Sequence, residues 1–158
     1  MSEITAGRVA SLHLHPEKSG DAMSTVEVIE VLAGKGIVGN GRYFERISRT
    51  GRPGKRQVSL IEREQIAEHA AVIGLPHILP GAVRANIETF AINLISLLGR
   101  EVRVGEAILF FYDPRTPCEK MDRICQGLRE LMEERKQGVL AQVIRGGAIH
   151  VGDAIQAV

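Results

Sequence analysis

Apolar and polar residues alternate with a period near two over residues 8–14 (RVASLHL) and 25–32 (TVEVIEVL), the pattern of half-buried strands. The stretch between them, HPEKSGDAMS, reads as a loop. Val102–Val104 and Ala107–Tyr112 form another strand pair across the turn Gly105-Glu106. The C-terminus repeats the theme: an apolar run at Val139–Ile144, a turn at Gly146-Gly147, a strand at Ala148–Val151, a turn at Gly152-Asp153 and a last strand at Ala154–Val158. Strands at such short intervals predict a meandering antiparallel sheet or a barrel.

Two stretches switch to helical periodicity. Ser59-Leu60-Ile61-Glu62 fits a capping box, which predicts a helix over 60–73 stopped by Gly74 and Pro76. Thr116-Pro117-Cys118-Glu119 fits a second one, with Pro at the first helical position. Met121, Ile124, Cys125, Leu128, Leu131 and Met132 then share one helical face, and Gly138 ends the segment. A short helical turn is expected at Asn93–Leu98, closed by Gly99.

Composition narrows the class. The 158 residues amount to about one domain of 17.2 kDa, taken as a single unit over 1–158. Hydrophobic residues make 44% and charged residues 25%, which argues for a packed core and against disorder. Twenty basic residues nearly balance nineteen acidic ones, and aromatics are only 4%, so a nucleic-acid coat is disfavoured. No apolar run approaches the ~20 residues of a membrane span. Two cysteines without a signal segment or a repeated spacing point to a reducing, cytoplasmic setting.

The candidate chemistry gathers at Cys118. In the expected helix it lies beside free first-turn amides, where a thiolate is favoured; a cysteine that merely fills space near the cap is an equal reading from position alone. Cys125 falls on the apolar stripe and reads as a small buried hydrophobe. Seven residues of helix place the two sulfurs roughly 10 Å apart, too far for a disulfide. A second feature is the stretch from Arg42 to Arg56, where Arg42, Arg46, Arg49, Arg52, Lys55 and Arg56 face the single acid Glu45. It is either a solvated loop or an anion site, since Arg forks match phosphate geometry. His13 and His15 would share one strand face, with no third metal ligand identifiable, and His69, His77 and His150 read as packing or surface residues. Gly34–Gly39 lacks the end of a phosphate-loop motif.

Several short stretches, in order, carry a family resemblance: Gly36-Ile37-Val38-Gly39-Asn40, then GRPGKRQVSL at 51–60, Pro80-Gly81 with Arg84-Ala85-Asn86-Ile87, Gly105-Glu106-Ala107, Pro117-Cys118, and Gly138-Val139 running into Gly146 through Asp153. From about Gly34 to Val158 the chain resembles a small stand-alone MOSC domain, the module named for the C-terminal part of molybdenum cofactor sulfurase. It departs at Asn40, where the family usually has Asp; Asn keeps the turn chemistry and loses the charge.

The resemblance implies a mainly β fold, a mostly antiparallel barrel akin to the pyruvate-kinase barrel domain with two or three outer helices. It implies that Cys118 matches the family's cysteine, which handles sulfur for the molybdenum cofactor or holds molybdenum. It also implies that Lys55, Arg56, Arg84, Arg115 and Thr116 bind the cofactor, with Asn86 hydrogen-bonding it. The pyridoxal-phosphate domain of the full-length sulfurase has no room in this chain. Two functions follow: a sulfurtransferase or molybdenum-dependent oxidoreductase module working through Cys118, or a non-catalytic module that delivers the pterin cofactor to a partner molybdoenzyme. A sulfur donor is the other partner implied.

Overall fold

The computed structural model describes residues 7–118, 120–133 and 135–158. Eleven strands and three short helices follow one another: β1 (Gly7–Leu14), β2 (Ser24–Val26), β3 (Val28–Leu32), β4 (Gly36–Ile37), β5 (Val58–Glu62), α1 (Arg63–Val72), β6 (Ile87–Phe90), β7 (Glu101–Val104), β8 (Ala107–Pro114), α2 (Lys120–Ile124), α3 (Leu128–Leu131), β9 (Val139–Arg145), β10 (Gly147–His150) and β11 (Ala154–Ala157). Strands β1, β6, β5, β9, β8, β7 and β11 pair in that order, and β11 returns to β1 through Gly7 opposite Ile155 and Arg8 opposite Ala154. The ring is closed, as the strand spacing predicts. One pair, β5 with β6, is parallel, so the barrel is mixed. Strand β2 extends the ring off β1, and β10, β3 and β4 make a separate three-stranded sheet.

Inward side chains of the ring, among them Leu12, Leu60, Ile87, Leu109 and Phe111, are fully buried. Each such side chain contributes roughly 1.5–3 kcal/mol. A second apolar cluster lies outside the ring, where Ile66 of α1 meets Val83, Ala85, Met121, Leu128 and Met132. Among the described residues no helix is long and apolar enough to cross a membrane.

The structure corrects several expectations. The alternating run 25–32 is two strands, β2 and β3, that join different sheets. Ser59 does not cap a helix. It lies in β5, a ring strand buried on both faces, with Val58 and Leu60 in the barrel core and Ile61 in the outer cluster. Helix α1 starts three residues after Leu60, at Arg63; its expected stop is present, Gly74 having φ 79° and the Leu75 N–H reaching the Ala70 carbonyl.

The single long helix after Pro117 is two short ones. Gly127 takes a left-handed φ of 95°, and Asp122 Oδ1 accepts the N–H groups of Gly127 (3.1 Å) and Arg129 (3.2 Å), competing with helical pairing. Cys125 lies at this break and is half-buried, against the expectation of full burial. The supposed capping partner of Thr116, Glu119, falls outside the described residues. Gly138 ends no helix: it enters β9 at φ 85°, and a Cβ there would run into the Leu60 carbonyl oxygen.

Candidate functional site

The loops after β1, β4 and β8 and those before β5 and β6 meet at one end of the barrel. They bring His15, Asn40, Tyr43, Arg56, Arg84, Arg115 and Cys118 into one region. The framework beneath them is a set of amides. Asn86, before β6, accepts from the Ser59 N–H (3.0 Å) and donates Nδ2 to the His13 carbonyl (3.0 Å) and to Asn40 Oδ1 (2.9 Å). Asn40 Oδ1 also accepts the His15 N–H at 2.8 Å. The amide of Asn86 is therefore committed to the protein, in place of the expected bond to a ligand.

Arg115, the residue after β8, is 5% exposed. Its Nη2 donates to the Val83 carbonyl (2.8 Å), while the buried Nη1 has no partner. Among the described residues it forms no ion pair. Burial, aided by the nearby Arg56 and Arg84 guanidiniums and opposed by Cys118 and Tyr43, lowers its pKa to about 9. His15, 8% exposed, is driven the same way. Burial and then the fields of Arg56, Arg115, Arg84 and Lys120 lower its imidazole to about 3, so the ring is neutral across the physiological range. The His15 ring lies 4.6 Å from that of Tyr43, over which Arg56 stacks at 4.8 Å. Arg42 and Arg46 flank the same ring at 5.8 and 5.7 Å.

The rim is also cationic. A cavity of about 180 Å³ is lined by Gly20, Ala82, Arg84, Lys120, Arg123 and Ile124, three cations without a carboxylate. Arg84 occupies it at the cost of a left-handed φ of 65°, unusual for a side chain of this size. Arg84 Nη1 donates to the Asp21 carbonyl (2.8 Å) and Lys120 Nζ to Ser19 Oγ (3.2 Å), pinning the 15–23 loop to the rim.

Arg56, Arg84 and Arg115 thus converge near Cys118. Lys55 and Thr116 are exposed, at the edge of the region. Cys118 is a free, half-buried thiol whose carbonyl accepts the Met121 N–H at 3.0 Å. It precedes a helix of only five residues, so the expected first-turn amides of a long helix are not what surrounds it. His13 and His15 part company: His13 turns to Ser11, Thr25 and Glu88, and only His15 reaches the cation region. Sequence reasoning missed His15, Tyr43 and Lys120 as neighbours of the site. The signal for the first two was a strand-end histidine and an aromatic, Tyr43, inside the basic loop.

The barrel has counterparts of known structure. The YuaD protein from Bacillus subtilis superposes with a TM-score of 0.77 at 20% identity, over 97% of this chain and 96% of that one. YiiM from Geobacillus stearothermophilus gives 0.74 at 18% identity, over 96% and 75%, and YiiM from Escherichia coli 0.68 at 20%, over 96% and 69%. At these identities the likeness speaks for the fold. No curated protein matches the sequence. The MOSC domain model matches residues 11–156, nearly the whole chain and every element of the barrel site, and the protein therefore belongs to the MOSC family, which is associated with molybdenum cofactor sulfurase-type function.

Proposed function

We propose that the protein binds the molybdenum cofactor through its phosphate at the barrel-end cation site, with Cys118 as the thiolate that holds molybdenum or accepts sulfur. The observation that carries the reading is Arg115, a buried cation with one unpartnered Nη and, among the described residues, no acid to balance it. Such a group is costly unless an anion completes it. The donor set fits a phosphate: Arg forks for two oxygens, a lysine, and a cationic cavity at the rim. A soft sulfur beside them suits molybdenum or a sulfane sulfur.

When bound, the cofactor would supply a redox-active, sulfur-accepting metal centre. The chain's own contributions are distinct. Arg56, Arg84, Arg115 and Lys120 neutralise the phosphate, and exposed Lys55 and Thr116 extend the rim toward it. Neutral His15 offers a hydrogen bond without competing for charge. Asn86 positions Asn40 and the β5–β6 junction. In sulfur transfer, the Cys118 thiolate attacks the outer sulfur of a donor persulfide; the donor S–S bond breaks, the donor leaves as a thiolate, and Cys118 keeps the sulfane sulfur. A delivery role is favoured by the exposed basic arm around Arg46, Arg49 and Arg52, which carries exposed Ile47 beside the site and would suit an acidic recipient protein.

Reconstitution with molybdenum cofactor tests this. Metal analysis and pterin fluorescence after oxidation should find both components on the wild-type protein. Cys118→Ser should keep the pterin and lose molybdenum or loaded sulfur, and Arg115→Met should lose both. Full retention by Cys118→Ser would remove the cysteine from the function.

A further inference from the structure

Asn40 lies in the turn after β4 and is 1% exposed. Its Oδ1 accepts the His15 backbone N–H (2.8 Å) and Asn86 Nδ2 (2.9 Å). A backbone N–H is a donor in every protonation state, so the oxygen must occupy that position, and the amide orientation is fixed by its partners. Nδ2 is therefore left on the other side, buried and without a partner among the described residues. Gly41 has φ 51°, and its backbone lies so close to the Pro16 carbonyl that a Cβ would overlap it.

The residue that Asn40 holds, His15, stands in the field of Arg56, Arg115, Arg84 and Lys120. Two buried, unpartnered donors, Asn40 Nδ2 and Arg115 Nη1, are thus linked through His15, which bonds to the one residue and stands in the field of the other, and no described carboxylate pairs with that arginine. An aspartate at 40 would have the same shape, keep both bonds to Oδ1, and put negative charge where Nδ2 now is.

We propose that Asn40 is a specificity-determining residue of the anion site: being an amide, it leaves the buried positive charge uncompensated and adds a second free donor, so that the site selects a dianion over a monoanion. The inference deepens the phosphate reading above and rests on it. Selection arises because a second negative charge gains from each uncompensated cation, whereas a carboxylate at 40 would cancel part of that gain and repel the ligand. The free amide also finds an acceptor only when an oxyanion is present.

Calorimetric titration of the full chain with sulfate, a dianion throughout the neutral range, and with nitrate, a monoanion, tests it. Asn40→Asp should weaken sulfate binding by at least about tenfold and nitrate binding by clearly less. The same variant should melt at a higher temperature without ligand, because it compensates Arg115, and the His15 imidazole should titrate above its value of about 3 when followed by NMR. A merely structural Asn40 would move the melting temperature down and leave the sulfate-to-nitrate ratio alone. In the wild-type protein, saturating sulfate should shift the Asn40 side-chain amide resonance more than that of Asn86, which keeps the assignment testable without any variant. An unchanged ratio in Asn40→Asp, or an Asn40 amide indifferent to sulfate, overturns the inference. Absence of saturable sulfate binding in both wild type and Arg115→Met overturns instead the anion-site reading on which it rests.

Discussion

Two polar clusters flank the end of β1, and they differ in whether the cation in each has an acid partner. In the first, Arg63 Nη2 donates to Ser11 Oγ (2.9 Å), the Ser11 hydroxyl lies 2.8 Å from His13 Nε2, and His13 Nδ1 lies 3.1 Å from Thr25 Oγ1. The arginine supplies the only unambiguous donor, so the chain of bonds runs from Arg63 through serine and histidine to the threonine oxygen. Glu88 completes the cluster, ion-paired to Arg63 at 2.9 Å and accepting the Gly81 N–H at 2.6 Å. Arg63 Nε is left without a partner among the described residues, but charge is matched and the cluster is scaffold. In the second, two residues along the chain, His15 and Arg115 sit among further cations, with free donors on Arg115 and Asn40. A folded chain tolerates an uncompensated cluster of this kind where a ligand closes it, and this separates the two regions.

The sharpest way to break the comparison is acid. His15 has a folded pKa of about 3 against 6.5 in the unfolded chain, and His13 is lowered too. A depressed folded value means stability present above 6.5 and lost as pH falls toward 3, up to roughly 5 kcal/mol from His15 alone. Glu88 works oppositely, since burial raises its pKa: its contribution is present at low pH and lost as pH rises through the raised value. Urea denaturation from pH 7 down to 4 should therefore show a steep slope in the wild type and a flatter one in His15→Gln; equal slopes would mean that His15 is not held neutral.

Next in size is the charge-matched cluster itself. Glu88→Ala leaves Arg63 without its partner and should cost about 3–5 kcal/mol. A loss under 1 kcal/mol by urea denaturation would deny the cluster its structural role. The matching change in the uncompensated cluster has the opposite sign. Arg115→Met removes an uncompensated charge and should leave stability unchanged or raise it by about 1–4 kcal/mol, while abolishing phosphate binding in calorimetry. If both substitutions destabilise alike, the distinction between the clusters fails. The smallest effects belong to the rim: Arg56→Ala and Arg84→Ala should each weaken binding of a phosphate probe by about 1.5–3 kcal/mol.

Much of the barrel was legible because its strands are half-buried. β7 shows one apolar and one polar face, β8 and most of β9 alternate buried with partly exposed positions, and Gly105, Gly74 and Gly99 mark real turns and stops. β5 was not legible, since VSLIE is buried on both faces and its serine imitates a helix cap. The break at Gly127 was hidden because the apolar stripe continues across it; what splits the helix is the Asp122 side chain, a tertiary competitor that periodicity does not register. In the site, the basic stretch contained Arg56, whereas Arg84 and Arg115 lie outside it and stood out only beside the family resemblance. The part played by Asn40 and His15 depends on hydrogen bonds between loops distant in the chain, and residue type alone does not encode them.

Among the described residues, two residue pairs close the ring, and they join the first described strand to the last. Every site residue named here precedes β11 in the chain. During synthesis the other strands can pair among themselves, but β1 and β7 keep raw edges until β11 leaves the ribosome and docks between them. That contact spans nearly the whole sequence, the slowest kind to form. A nascent chain therefore spends its assembly as an open, sticky sheet, and chaperone demand and aggregation should concentrate in that interval. The nearness of Gly7 to Ile155 also offers a remedy: a short linker placed from β11 to β1, with the chain opened in an exposed loop such as that at Gly51, would let closure occur early.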